Sequence, residues 1–154
     1  MLPVQIRKGE AVSRREPPRI SSRSPPRRRS ARDLLEVFGN DYPTPDGTGI
    51  RDYIHVKDLA SAHLAALAYL RAGGKSEVLN CGYGRGFSVL EVIASMRRAA
   101  KSDFPVRVGP RRVGDPDRVV AKADRIREVL GWRPKLNDLD TIVDHALAWE
   151  RQLL

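Results

Sequence analysis

The chain has 154 residues, a single cysteine and a formal net charge of +9. One cysteine excludes an intrachain disulfide and fits a reducing compartment, and no apolar run reaches the roughly 20 residues that a membrane helix needs. The charge is concentrated: residues 1–32 hold ten Lys/Arg against two Glu, a net of +8, whereas residues 33–154 hold 18 basic against 17 acidic residues, a net of +1. A near-neutral body gives no electrostatic footprint for a nucleic-acid-binding fold. The opening MLPVQIRKGEAV lacks the apolar stretch of a secretory signal, so the expected location is cytoplasmic.

Residues 1–32 carry five of the eleven prolines and no aromatic residue. Such a segment buries too little apolar surface to offset the entropy of ordering, and it is expected to be a disordered basic tail. The texture changes at Leu34. LLEVFG (34–39) suits a short strand, NDYPTPDGTG (40–49) is dense in turn residues and must be a loop, and RDYIHV (51–56) suits an extended segment. DLASAHLAALAYLRAGG (58–74) has helical spacing, with Leu59, Ala62, Ala66 and Leu70 on one face and Gly73-Gly74 as its stop.

EVLNCG (77–82) is a strand candidate halted by glycine. Ser88 and Glu91 form a capping box at the head of SVLEVIASMRRAAK (88–101), with Val89, Val92, Ile93 and Met96 as its buried stripe. FPVRVG (104–109) suits a strand, and ADRIREVLG (123–131) a helix closed by Gly131, with Pro134 barring its continuation. DLDTIVDHALAWERQLL (138–154) opens on an Asp cap and sets Leu139, Ile142, Val143, Ala146 and Trp149 on one side. Strands alternating with helices predict an α/β layout.

The stretch VFGNDYPTPDGTGIRDYIHVKDLASAH (37–63) resembles the second half of the NAD-dependent UDP-glucose 4-epimerases, a branch of the extended short-chain dehydrogenase/reductase superfamily. The resemblance continues in order through LNCGYGRGFSVLEVI (79–93), PRRVGDPDRVVAKADR (110–125), LGWRP (130–134) and DLDTIVDHALAWE (138–150), and so covers about residues 34–154. It implies the C-terminal, UDP-sugar-binding portion of a Rossmann-type enzyme over residues 33–154. The family interconverts UDP-glucose and UDP-galactose in galactose metabolism, with tightly held NAD as its cofactor. NAD takes the hydride from C4 of the sugar and returns it to the other face. The resemblance also allows a family-type homodimer.

Carried over by motif, the resemblance assigns Arg51 and Arg112 to the UDP diphosphate, Asp115 to the ribose and Phe38 to the uracil, with Tyr53 and Val89 as further contacts. The chemistry is consistent: planar guanidinium groups offer paired donors to a diphosphate, and a carboxylate suits ribose hydroxyls. Without the motif context each arginine would be an ordinary surface residue. Val119 departs from the aromatic residue that the family often has around that position. His55 and His63 are expected to be structural, and no His/Cys/Asp cluster has metal spacing.

Two motifs imitate catalytic machinery. Tyr53-Ile-His-Val-Lys57 fits Tyr-x-x-x-Lys, but the family's catalytic pair shares a helix face at i, i+4, and these residues have an extended pattern. Gly82-Tyr-Gly84-Arg-Gly86 looks like a dinucleotide loop, yet its spacing is G-x-G-x-G and no ribose-binding acid follows about 20 residues on. Neither is assigned a role, so no catalytic, cofactor-binding or metal-binding residue is named in this chain. The purified chain is expected to bind NAD poorly and to lack turnover, because nothing in it replaces the family's phosphate loop or catalytic Tyr/Lys pair, and to be poorly soluble, because EVLNCG resembles a strand that the family adds to a parallel sheet and has exposed edges without it.

Two other readings compete. The chain could derive from another nucleotide-sugar epimerase, dehydratase or decarboxylase of the same superfamily. Alternatively the basic tail could bind nucleic acid through phosphate contacts, although it has no stacking aromatic residues. A third account concerns the tail's origin. One permitted codon choice for Arg19–Ser30, read from its third base, encodes His-Leu-Ile-Lys-Val-Ala-Ala-Gln-Ala-Ala-Leu. The family has a helix of that type before LEVFGNDY, so residues 1–32 are read as including a frameshifted segment whose frame recovers near Ser30–Arg32.

Overall fold

In a computed structural model of the protein, residues 4–6 and 34–153 are described. Strand β1 (Val4–Ile6) pairs antiparallel with β4 (Glu77–Leu79). The expectation of a disordered 1–32 therefore differs at these three residues, and the remainder of that tail, including the frameshift reading, lies outside the described residues. One edge of EVLNCG, expected to be exposed, is thus covered by β1.

The other strands form two small sheets. β2 (Leu35–Phe38) and β6 (Val106–Gly109) are parallel, with Phe38 opposite Gly109. β3 (Ile50–Arg51) lies between β5 (Phe87–Ser88), antiparallel to it, and β7 (Arg118–Val119), parallel to it. Two parallel pairs thus deliver their C-terminal ends, and the loops that follow them, to the chemistry. In α/β folds such strand ends are where ligands bind.

The described residues also form four helices: α1 (Val56–Arg71), α2 (Val89–Ala100), α3 (Asp124–Leu130) and α4 (Leu139–Gln152). The predicted caps are present. Ser88 and Glu91 make the reciprocal capping box of α2, and Asp138 accepts from the Thr141 amide at the head of α4. Gly131 is left-handed (φ 61°) after α3, the conformation a glycine adopts without steric cost. Helix α1 begins two residues before the predicted Asp58, because the His55 ring, at the N-cap, accepts from the Lys57 amide.

Two apolar clusters hold the chain together. Ala62 and Ala66 of α1 meet Leu79, Cys81, Ala123, Ile126 and Trp132, with Leu59 and Leu70 packed at the margin, as the predicted face requires. Leu79 is 1% exposed, and burying a side chain of that size contributes about 2 kcal/mol. The second cluster joins Phe87, Leu139 and Val143, flanked by Tyr53, Val92, Met96 and Leu147. Here the sequence pattern misled: Ala146 is exposed and Trp149 is 59% exposed. The buried stripe of α4 is Leu139, Val143 and Leu147, an i, i+4, i+8 row, because α4 packs mainly against α2 along a narrow seam. No helix among the described residues is long and apolar enough to cross a membrane.

Candidate functional site

A turn lies between β6 and β7. Arg112-Val113-Gly114-Asp115 is a tight turn closed by the Asp115 amide donating to the Arg112 carbonyl at 3.2 Å. Gly114 occupies its third position with φ 79°, the left-handed angle that a type II turn demands there. Val113 at the tip is fully exposed. Arg112 and Asp115 therefore stand at the two corners of one turn, and each corner touches a different strand pair.

At the first corner the Arg112 guanidinium lies 3.7 Å from the centre of the Phe38 ring. Phe38 ends β2 and Arg112 follows β6; parallel pairing with Phe38 opposite Gly109 brings them to the same end. Arg111 stacks in the same way on Tyr42, at 4.1 Å, and its Nε donates to Asp41 at 2.6 Å. Gly39 makes room for this stack. It has φ 86°, and a Cβ there would sit 2.6 Å from the Arg111 Cγ and 2.8 Å from the Tyr42 ring.

At the second corner Asp115 accepts from Nη2 of Arg51 at 2.5 Å, and Nη1 of Arg51 donates to the Ile50 carbonyl at 2.8 Å. Both charged side chains remain partly exposed, at 27% and 35%. Val89 follows the β5 strand that flanks β3, and its amide donates to the Gly49 carbonyl at 3.2 Å. Of the six predicted contacts, the structure brings Phe38 against Arg112 and Arg51 against Asp115, with Val89 beside the strand that carries Arg51. Tyr53 sits instead at the edge of the second apolar cluster, where burial pushes its hydroxyl pKa up against the opposing effect of Arg51. Val119 lies in β7, paired opposite Arg51.

Sequence reasoning missed three aspartates. Asp52 accepts from the amides of Tyr83 and Gly84 at 3.1 and 3.0 Å, and from that of Ala121 at 3.2 Å. Asp58, 3% exposed, accepts from the Tyr83 hydroxyl and from the Lys135 and Leu136 amides. Burial raises the Asp58 carboxyl pKa, but these donors outweigh it and hold it below the ordinary range. Asp46 accepts from the Thr48 amide and from the hydroxyls of Thr48 and Ser88. Only the Asp-Gly-Thr turn signal of residues 46–48 hinted at any of them.

The imitating motifs are accounted for by the same bonds. The Gly82–Gly86 loop does not fit a dinucleotide, because Asp52 already occupies the amides of Tyr83 and Gly84 that a phosphate would need. Gly82 is also closed in: a Cβ there would lie 2.6 Å from both Ala121 and Asp52. Tyr53 lies outside the helix that contains Lys57, so the two do not share a helical face. His55 is buried and structural: its backbone amide donates to the Tyr83 hydroxyl at 3.0 Å, and its Nε2 lies 2.9 Å from Nδ1 of His145. His63 is exposed and bonds to the Leu59 carbonyl. Among the described residues no group of three or more His, Cys, Asp or Glu could hold a metal ion.

The chain is similar to known proteins over most of its length. Residues 12–82 match the NAD dependent epimerase/dehydratase family. The UDP-glucose 4-epimerase of Azospirillum brasilense is 57% identical over 122 residues, which cover 79% of this chain and 35% of that protein. The UDP-Glc/GlcNAc 4-epimerase of Campylobacter jejuni is 52% identical with a TM-score of 0.71, over 79% of this chain and 36% of that one. The UDP-glucose 4-epimerase of Bifidobacterium longum, solved with NAD+ and UDP, is 41% identical with a TM-score of 0.71, over 77% of this chain and 35% of that one. The chain thus spans about a third of the length of the relatives it matches.

Proposed function

We propose that the chain, whose residues 12–82 match the NAD dependent epimerase/dehydratase family, belongs to that family and that its residues 33–154 are the UDP-sugar-binding portion of a UDP-glucose 4-epimerase. The observation that supports this most is the single turn whose corners, Arg112 and Asp115, meet Phe38 and Arg51. In this reading the diphosphate is received by Arg51 and Arg112, the ribose hydroxyls by Asp115 and the uracil by the face of Phe38. Val89 and Tyr53 supply the remaining contacts. A diphosphate carries more charge than one carboxylate, so it competes with Asp115 for Arg51, and the freed carboxylate is then available to the ribose. Uracil stacking on Phe38 requires the Arg112 guanidinium to leave that ring, which moves it toward the phosphates.

NAD supplies the hydride chemistry of the family, and the glycine loop of this chain does not fit it. The part played by this chain is therefore to grip and orient the nucleotide, and the activity of the whole enzyme needs a dinucleotide-binding portion besides these residues. The expected homodimer and a cytoplasmic location belong to that whole enzyme. Two results test the reading. Saturating UDP should raise the melting temperature of the purified chain by about 5–10 °C, as ligand at about 100 times its Kd contributes about 2.7 kcal/mol, while uridine should give little. The chain alone should not turn over UDP-galactose. Absence of any UDP shift, or measurable turnover, would overturn the proposal. The gene's nucleotide sequence decides the origin of residues 1–32: a shifted frame without the expected helix removes the frameshift reading.

A further inference from the structure

We propose that Asp46 is a positioning residue for the nucleotide site, tying the 40–49 loop to the head of α2 so that Val89 and Arg51 are held in one geometry. The inference rests on the UDP reading above.

The two carboxylate oxygens of Asp46 divide the task. Oδ1 stays within the loop and accepts from the Thr48 amide at 2.9 Å and the Thr48 hydroxyl at 2.7 Å. Oδ2 reaches across the molecule and accepts from the Ser88 hydroxyl. That hydroxyl is the N-cap of α2 and itself accepts from the Glu91 amide at 3.0 Å. By taking the hydroxyl proton, Asp46 turns the lone pairs of Ser88 toward the helix amide. The tether is thus a relay from loop carboxylate to serine to the first turn of α2. A second strand of the tether runs from the Leu90 amide to the Thr48 hydroxyl at 3.4 Å.

Both ends of this relay adjoin proposed nucleotide contacts. Ser88 precedes Val89 and pairs opposite Ile50, whose neighbour is Arg51. Thr48, 1% exposed, precedes Gly49. A Cβ on Gly49 would lie 3.2 Å from Nη1 of Arg51, so the guanidinium rests over the backbone that Asp46 and Thr48 fix. Asp46 is not itself a ligand in this account, since both of its oxygens are engaged inside the protein. Burial raises its pKa, but the Ser88 and Thr48 bonds outweigh this and keep it below the ordinary range, so the relay persists at neutral pH. The carboxylates of Asp46 and Glu91 also face the positive end of α2. That end is therefore satisfied internally, and an incoming diphosphate is left to the arginines.

The test uses the full chain as wild type, Asp46→Ala, Asp46→Asn, Ser88→Ala and the Asp46→Ala/Ser88→Ala double variant. UDP affinity is measured calorimetrically well below the melting temperature, alongside amide hydrogen exchange at Leu90 and Glu91. Asp46→Ala should raise the Kd for UDP about tenfold and accelerate exchange at both amides. The double variant should bind UDP no worse than the poorer single one, because both substitutions cut the same tether. Asp46→Asn, which keeps the shape and loses the charge, should fall between wild type and Ala, and it carries the test if the Ala variant does not fold. A merely structural role predicts a lower melting temperature with an unchanged Kd, and that result overturns the proposal. A wild-type chain that does not bind UDP overturns the underlying UDP reading first, whatever the exchange data show.

Discussion

The Gly82–Gly86 turn and the Arg112–Asp115 turn use the same chemistry to opposite ends. Around the first, the carboxylates of Asp52 and Asp58 are met by backbone amides and the Tyr83 hydroxyl, so each acidic group is matched from within. Around the second, the Arg51 guanidinium and the Asp115 carboxylate, at 27% and 35% exposure, pair with each other, Arg51 also donates to the Ile50 carbonyl, and Arg112 lies on an aromatic face. A buried carboxylate surrounded by amides holds the chain in place, because removing it strands several donors at once. A half-exposed ion pair contributes little to stability, which leaves its groups free to exchange partners for a ligand. The glycine-rich turn that looks functional is structural, and the turn with an ordinary sequence presents the charges.

Three substitutions probe this contrast. The largest effect is expected at Asp58→Ala, which leaves the Lys135 and Leu136 amides without their acceptor and the Tyr83 hydroxyl with the Leu136 carbonyl alone: unfolding free energy should fall by about 3 kcal/mol, measured as a shift in the urea midpoint. UDP affinity of the remaining folded fraction should change little. Arg112→Ala should do the reverse, leaving the urea midpoint nearly unchanged while weakening UDP binding by about 1.5–3 kcal/mol, the typical contribution of a charge-assisted bond. If both substitutions change both readouts equally, the distinction between the two turns fails.

The smallest effect concerns pH. Burial first, and the neighbouring His145 second, hold the pKa of His55 below 6.5, with Asp58 opposing and Lys57 reinforcing. His145 reaches it from α4, Lys57 and Asp58 lie on its own helix, and the Tyr83 hydroxyl faces its backbone. Because the unfolded chain takes up this proton first, the contribution of neutral His55 is fully present above about pH 6.5 and declines as pH falls below it. Protonation would also abolish the acceptor that caps the Lys57 amide. His55→Asn supplies a cap that cannot take up a proton, so its melting temperature should fall less than that of wild type between pH 7.5 and pH 5.5, roughly the range over which histidine titrates. An identical slope would mean that His55 is not the group responsible.

What the sequence revealed was local. The capping box of Ser88 and Glu91, the Asp138 cap, the glycine stop of α3 and the turn-rich 40–49 loop each depend on neighbours a few residues away. The arginines and Asp115 were legible only through family likeness, since nothing in their spacing separates them from surface charge. Asp52 and Asp58 were illegible because their donors lie 25 to 78 residues along the chain. No periodicity encodes such a distance. The face of α4 was misassigned because the apolar pattern admits two overlapping stripes. Only the position of α2 selects the one through Leu147 and leaves Trp149 in solvent.

The central claim is that UDP engages the Arg112–Asp115 turn and the strands that meet it. Amide hydrogen exchange of the full chain, with and without saturating UDP, tests it most directly. Protection should rise at residues 49–53, 88–90 and 111–115 and stay level in the Asp52-clamped 82–86 turn. Protection centred on 82–86, or none anywhere, would contradict it.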